Sequence, residues 1–164
     1  MVLKCRDYLV DKLNAIGMQA KPITSRKALE AALSPRICAV LFGTDDLARN
    51  GSKKFYEDET GARRKRTKVF DRKTTFTVHI GDSQPEKVDE FVTTFLLALD
   101  KGVYIDGNYV AIDVDAADWE DGDDTWLRGK VVTSLSVIFD GGVYRDTGLA
   151  RISNVDILEI EKEI

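Results

Sequence analysis

The chain has 164 residues, 43% hydrophobic and 32% charged, which is enough apolar material for one domain with one core. Its formal net charge of -4 excludes the overall basic footprint of a dedicated nucleic-acid binder. The two cysteines, Cys5 and Cys38, form no disulfide framework and no CxxC or Cys/His metal motif.

Both cysteines lie in apolar-patterned stretches and read as buried free thiols of a reducing compartment. Lys4, Arg6 and Asp7 fall where a secretory signal would need its apolar run. The longest apolar run, residues 37–42, is far short of the roughly 20 residues of a spanning helix. The expectation is a soluble protein without a membrane partner, made in the cytoplasm.

Along the chain, Val2, Cys5, Leu9, Leu13 and Ile16 recur at three- and four-residue steps, predicting an amphipathic helix over about 3–16 that Gly17 stops. A short strand is expected at 19–23. Ser25 then caps a short helix at 27–33, and residues 36–42 form a buried strand. From 43 to about 66 the periodicity disappears into polar residues, predicting a long mobile loop.

Residues 67–80 end in an alternating strand, with Phe76, Val78 and Ile80 set against Thr75, Thr77 and His79. Pro85 and Glu86 suit a helix start. Val88, Phe91, Val92, Phe95, Leu96 and Leu99 then make the widest apolar stripe in the chain. Its burial is worth on the order of 10 kcal/mol before entropy, at roughly 1.5–3 kcal/mol per large side chain.

Strands at 103–105 and 109–114 flank an Asp106-Gly107-Asn108 turn. An acidic arm over 113–124 follows, then a long strand at 127–139 that Asp140-Gly141-Gly142 breaks, with Val143-Tyr144-Arg145 able to continue it after the bend. A last edge strand is expected at 155–160. The element order predicts a single α+β domain over 1–164, a mostly antiparallel twisted sheet with two or three helices packed on one face.

Signatures of catalysis are missing. His79 is the one histidine and sits mid-strand among threonines, the pattern of a satisfied strand residue. No GxSxG, GxGxxG or P-loop pattern is present, and no catalytic residue, cofactor or metal is expected. The acidic stretch, with Asp118, Glu120, Asp121, Asp123 and Asp124, fails the calcium-loop spacing. Counted from Asp118 the glycine Gly122 comes one place early, and counted from Asp113 the sixth position is Asp118 itself.

The opposite charge gathers in Arg63, Arg64, Lys65, Arg66 and Lys68, a basic finger at the end of the long loop. Three readings stay open for it: a solvated tip, a contact for an acidic protein surface, or a contact for phosphates. The acidic arm in the same chain offers it a mate, in a neighbouring copy if the two cannot meet within one subunit.

The order of elements resembles the tail terminator family of long-tailed phages. The resemblance runs over most of residues 1–145 and includes the strand Phe76-Thr77-Val78-His79-Ile80-Gly81, the helix after Pro85, and the segment 131–144. It implies a non-enzymatic structural subunit of a virion tail, assembled in the bacterial host cytoplasm as a homo-oligomer, a hexameric ring. The ring would cap the tail tube protein, stop its polymerisation and present a surface to a head–tail connector protein, with DNA only passing through its lumen. The alternative is an adaptor domain whose basic loop binds an acidic partner.

Overall fold

The computed structural model describes residues 1–121 and 130–149. Its elements run α1 (Val2–Ala15), α2 (Arg26–Glu30), β1 (Ile37–Arg49), β2 (Lys53–Glu57), β3 (Arg63–Asp82), α3 (Pro85–Ala98), β4 (Gly102–Ile105), β5 (Asn108–Asp121) and β6 (Val131–Gly148). The strands form one antiparallel sheet in the order β1-β3-β6-β5-β4, with β2 also pairing β3. The α+β architecture is the one expected from the sequence.

Alternation sorts the two faces of the sheet. Cys38, Val40, Phe76, Val78, Leu135 and Val137 are buried on one, under α1 (Cys5, Leu9, Leu13) and α3 (Val88, Val92, Phe95). Tyr8, Phe139, Phe76 and Phe42 run through this layer as a chain of edge-on ring pairs with centroids 5.9–6.1 Å apart. On the opposite face, Leu29 of α2 covers a smaller apolar patch of Ile37, Ala39, Leu41 and Val132. Two helices thus share one face, and the third lies on the other.

Local chemistry explains the element ends. Ser25 Oγ accepts from the Ala28 N–H at 3.3 Å to cap α2. Pro85 occupies the first turn of α3, where a missing N–H costs nothing, and Glu86 complements its dipole. Asp106 (φ 52°) and Gly107 (φ 73°) both adopt the left-handed conformation, as a two-residue type I′ hairpin turn requires. The expected strand at 19–23 is reduced to a single parallel bridge between Ile23 and Ala39.

Three expectations need correcting. The segment 43–66 is mostly strand: β1 continues to Arg49, β2 follows, and a turn at 58–62 leads into β3. The acidic stretch up to Asp121 is no separate arm but the second half of β5, in register with β6 from Asp113↔Ile138 to Asp121↔Val131. Asp140-Gly141-Gly142 does not break β6, which runs on through Gly148. A Cβ on Gly142 would meet Lys68 Cε and come within 3.0 Å of the Phe70 carbonyl oxygen, so the glycine serves close packing inside the sheet. The predicted edge strand at 155–160 lies outside the described residues.

β3 is 20 residues long, roughly 65 Å at ~3.3 Å per residue, while burial under the helices ends near Thr74 and Gly141. Residues 63–73 and 140–148, with β2 and the end of β1, therefore extend past the core as a β-arm. No helix among the described residues is long and apolar enough to cross a membrane.

Candidate functional site

The arm has two chemically distinct faces, separated by the alternation of its strands. Bulges shift the phase between Phe42 and Asp45 of β1 and between Lys68 and Phe70 of β3. In the outer arm, Arg64, Arg66 and Lys68 consequently point away from the side that carries α1 and α3. Arg63 and Lys65 point toward it.

On the first face the cations are already engaged. Arg66 is its centre, donating to Asp146 through Nε (2.7 Å) and Nη2 (2.6 Å), and to Asn108 Oδ1 through Nη1 (2.9 Å). Its guanidinium lies 5.2 Å from the Tyr56 ring centroid and 5.9 Å from that of Tyr144, and the Tyr56 hydroxyl donates to Asp146 at 3.1 Å. One side chain thereby ties together β2, β3, β6 and the β4–β5 turn. The bonded guanidinium holds the Asp146 carboxyl below the usual carboxylate range.

Flanking pairs complete this face. Lys68 meets Asp71 at 2.6 Å, and Arg64 Nε meets Asp58 at 2.8 Å. Asp58 also accepts from the Thr60 hydroxyl and from the Thr60 and Ala62 N–H groups, which closes the 58–62 turn. These bonds, led by that from the Thr60 hydroxyl, hold its carboxyl far below the usual range.

The second face carries positive charge without salt bridges among the described residues, with Lys53, Arg63 and Arg145 exposed and Lys65 half-buried. Lys53 is in register with Thr67, Phe55 with Lys65, Glu57 with Arg63, and β6 contributes Arg145 opposite Thr67 and Thr147 opposite Lys65. Among the described residues Lys53, Arg63, Lys65 and Arg145 form no salt bridge, and Glu57 is the carboxylate on this stretch of the face. Large apolar groups stand among them: Phe55 is 64% exposed and Leu149 is 41% exposed, with Leu47 (57%) farther down the arm. Phe55, Tyr56, Glu57, Arg63 and Leu149 line an open hollow of about 510 Å³ near the tip.

The acidic counterpart lies across the sheet. β4 pairs β5 only as far as Ala111, so from Asp113 onward β5 is the outer strand among the described residues. Asp113, Asp115, Asp118 and Glu120 are exposed along it and form no salt bridge among the described residues; Trp119, 49% exposed, sits between the last two. Asp121 closes β5 in register with Val131, and Asp123 and Asp124 lie outside the described residues. No cluster of three metal-ligating side chains occurs among the described residues.

Within one subunit the two charged regions are far apart. Asp118 pairs Ser134 and Lys65 pairs Thr147, positions separated by roughly 40 Å along β6 at ~3.3 Å per residue.

His79 is half-buried on the α2 side, its Nδ1 2.8 Å from Ser134 Oγ. Burial, and secondarily the charge of Arg26, push its pKa below the ordinary value, so it is neutral at pH 7. The groove beside it, lined by Thr24, Arg26, Thr44 and Thr77, is an open one of about 560 Å³.

The sequence-predicted cations thus divide. Arg64, Arg66 and Lys68 belong to the internal cluster, whereas Arg63 and Lys65 face outward with Lys53 and Arg145, which the basic run in the sequence did not include. Asp146, Tyr56 and Tyr144 were also missed. An alternation of tyrosine and aspartate with basic residues on the partner strands was the available signal, and it is visible only once the register is known.

No protein-family model matches the chain, and no curated protein matches its sequence.

Proposed function

We propose that this chain is a non-catalytic structural subunit that assembles with copies of itself into a closed ring. Its setting would be that of a tail terminator: a ring capping the tail tube, ending its polymerisation and offering a surface for the head–tail connector, with DNA only in transit. The observation that carries self-assembly is the pairing of an exposed basic arm face with an exposed acidic outer strand, too distant to satisfy each other in one subunit. Such a heterologous contact closes into a ring when its rotation permits. The tail setting rests on the resemblance of element order over residues 1–145.

Negative-stain electron microscopy of the protein, alone at rising concentration and mixed with polymerising tail tube protein, tests both parts. Rings of uniform diameter and tubes arrested with a ring at one end are expected. Tubes that lengthen as they do without the protein would remove the terminator assignment, and single particles at every concentration would remove the ring.

The second reading is favoured by the same basic face. A monomeric adaptor would use it to hold a separate acidic protein, and would sediment as a monomer while binding that protein in a salt-dependent way.

A further inference from the structure

The arm's helix-side face is the surface that receives a neighbour, and we infer that its occupant is the outer strand β5 of a second copy. This rests on the self-assembly reading and specifies its contact. Lys53, Arg63, Lys65 and Arg145 form no salt bridge among the described residues and outnumber the one carboxylate in register with them, Glu57, and Phe55 and Leu149 supply apolar area between them. β5 offers the matching charge: Asp118, Glu120 and Asp113, in register with Ser134, Val132 and Ile138, share the α2 side of the strand, and Asp115 lies at the bulge beside them.

The opposite face of the arm is unsuited to the task. Arg64, Arg66 and Lys68 are bonded to Asp58, Asp146 and Asp71, and engaging a partner would require breaking those bonds. The internal cluster ties β2, β3 and β6 together through Arg66, Asp146 and Tyr56, which limits the entropic loss on association. In the unassembled chain the acidic side chains of β5 also discourage uncontrolled pairing along the edge that no described strand covers beyond Ala111. A basic, apolar-studded surface removes that discouragement, so the edge accepts one kind of partner and repels copies of itself.

The test is a reciprocal charge exchange in the full chain, read by sedimentation velocity at several concentrations and salt levels. Reversing the receiving face (Arg63→Glu, Lys65→Glu, Arg145→Glu) should raise the concentration needed for assembly at least about tenfold. Reversing the strand (Asp115→Lys, Asp118→Lys, Glu120→Lys) should do the same. Combining both sets restores opposite charge and should restore assembly.

Reversal of Arg64 and Arg66 instead should destabilise the arm, visible as faster amide exchange there. Circular dichroism confirms that each variant keeps its fold. If the wild type assembles and the reversed variants assemble equally well, this contact is wrong while self-assembly stands. Loss on reversal without recovery in the combined variant also overturns the contact. A wild type that stays monomeric throughout overturns both.

Discussion

Replacing Arg66 with methionine keeps much of the side chain's bulk while removing its charge and donors, and so isolates what the guanidinium does. It makes two charge-assisted bonds to Asp146 and one to Asn108, and stacks near Tyr56. The pair is intermediate in exposure, with side chains 29% and 37% accessible. Its worth therefore falls between the ~0.2–1 kcal/mol of a surface pair and the ~1.5–3 kcal/mol of a charged hydrogen bond. With the Tyr56 contact, a loss of about 2 kcal/mol is expected.

Because the arm lies beyond the helices, that loss should be local. Hydrogen exchange read by mass spectrometry should show amides of β2, residues 63–68 and residues 143–148 exchanging about thirtyfold faster, at 1.4 kcal/mol per tenfold. Amides of residues 131–139, which line the core, should not change. A double-mutant cycle with Asp146→Asn should return a coupling of about 1–2 kcal/mol. Arm amides that keep wild-type rates would refute the assignment of Arg66 as the tie between strands, and acceleration shared equally with the core would refute the arm as a separate unit.

Phe76 joins Phe42 to Phe139 and is 1% exposed, so Phe76→Ala should cost about 3–5 kcal/mol and lower the melting temperature by roughly 8–15 °C, measurable by calorimetry. Asp82 is 3% exposed; burial alone would push its carboxyl up, but the bonds from Arg36 (2.7 Å) and the Gln84 N–H outweigh it and carry its pKa below the ordinary 3.8. A carboxyl depressed in the folded state gives stability that is complete above its unfolded pKa and is lost as pH falls through the folded one. Urea midpoints of Asp82→Asn should accordingly be lower than wild type at pH 6, with the difference narrowing below about pH 4. The Cys5 and Cys38 thiols are buried and pushed up to about 11, so neither should react with maleimide at pH 8 until denaturant is added.

The core was legible in the sequence because apolar periodicity reports it directly. The stripes of α1 and α3 and the Phe76-Val78-Ile80 alternation led to the elements that form the helix-covered face. The arm was not legible for the opposite reason. Neither of its faces is buried, so residues 43–57 and 63–68 alternate between a polar cluster and a charged solvent-facing surface, and hydropathy shows nothing. Asp140-Gly141-Gly142 misled in a related way: glycines that break an isolated strand are tolerated in a central one when neighbours such as Lys68 occupy the space above them.

The charged residues of the candidate site were found as two blocks, yet their roles depend on parity. Arg63 and Lys65 differ from Arg64 and Arg66 only by one step along β3. That step decides whether a side chain meets Asp58 and Asp146 or solvent. The acidic block read as a loop because Asp and Glu are poor strand formers. Pairing of β5 with β6 overrides that preference, and the bulge between Val114 and Ala116 absorbs the mismatch.

Sedimentation equilibrium of the full chain across a wide concentration range measures the central property most directly. A discrete oligomer several times the 18.3 kDa chain mass, dissociating as salt is raised, is the expected result. A constant mass of one chain at every concentration and salt level would contradict it.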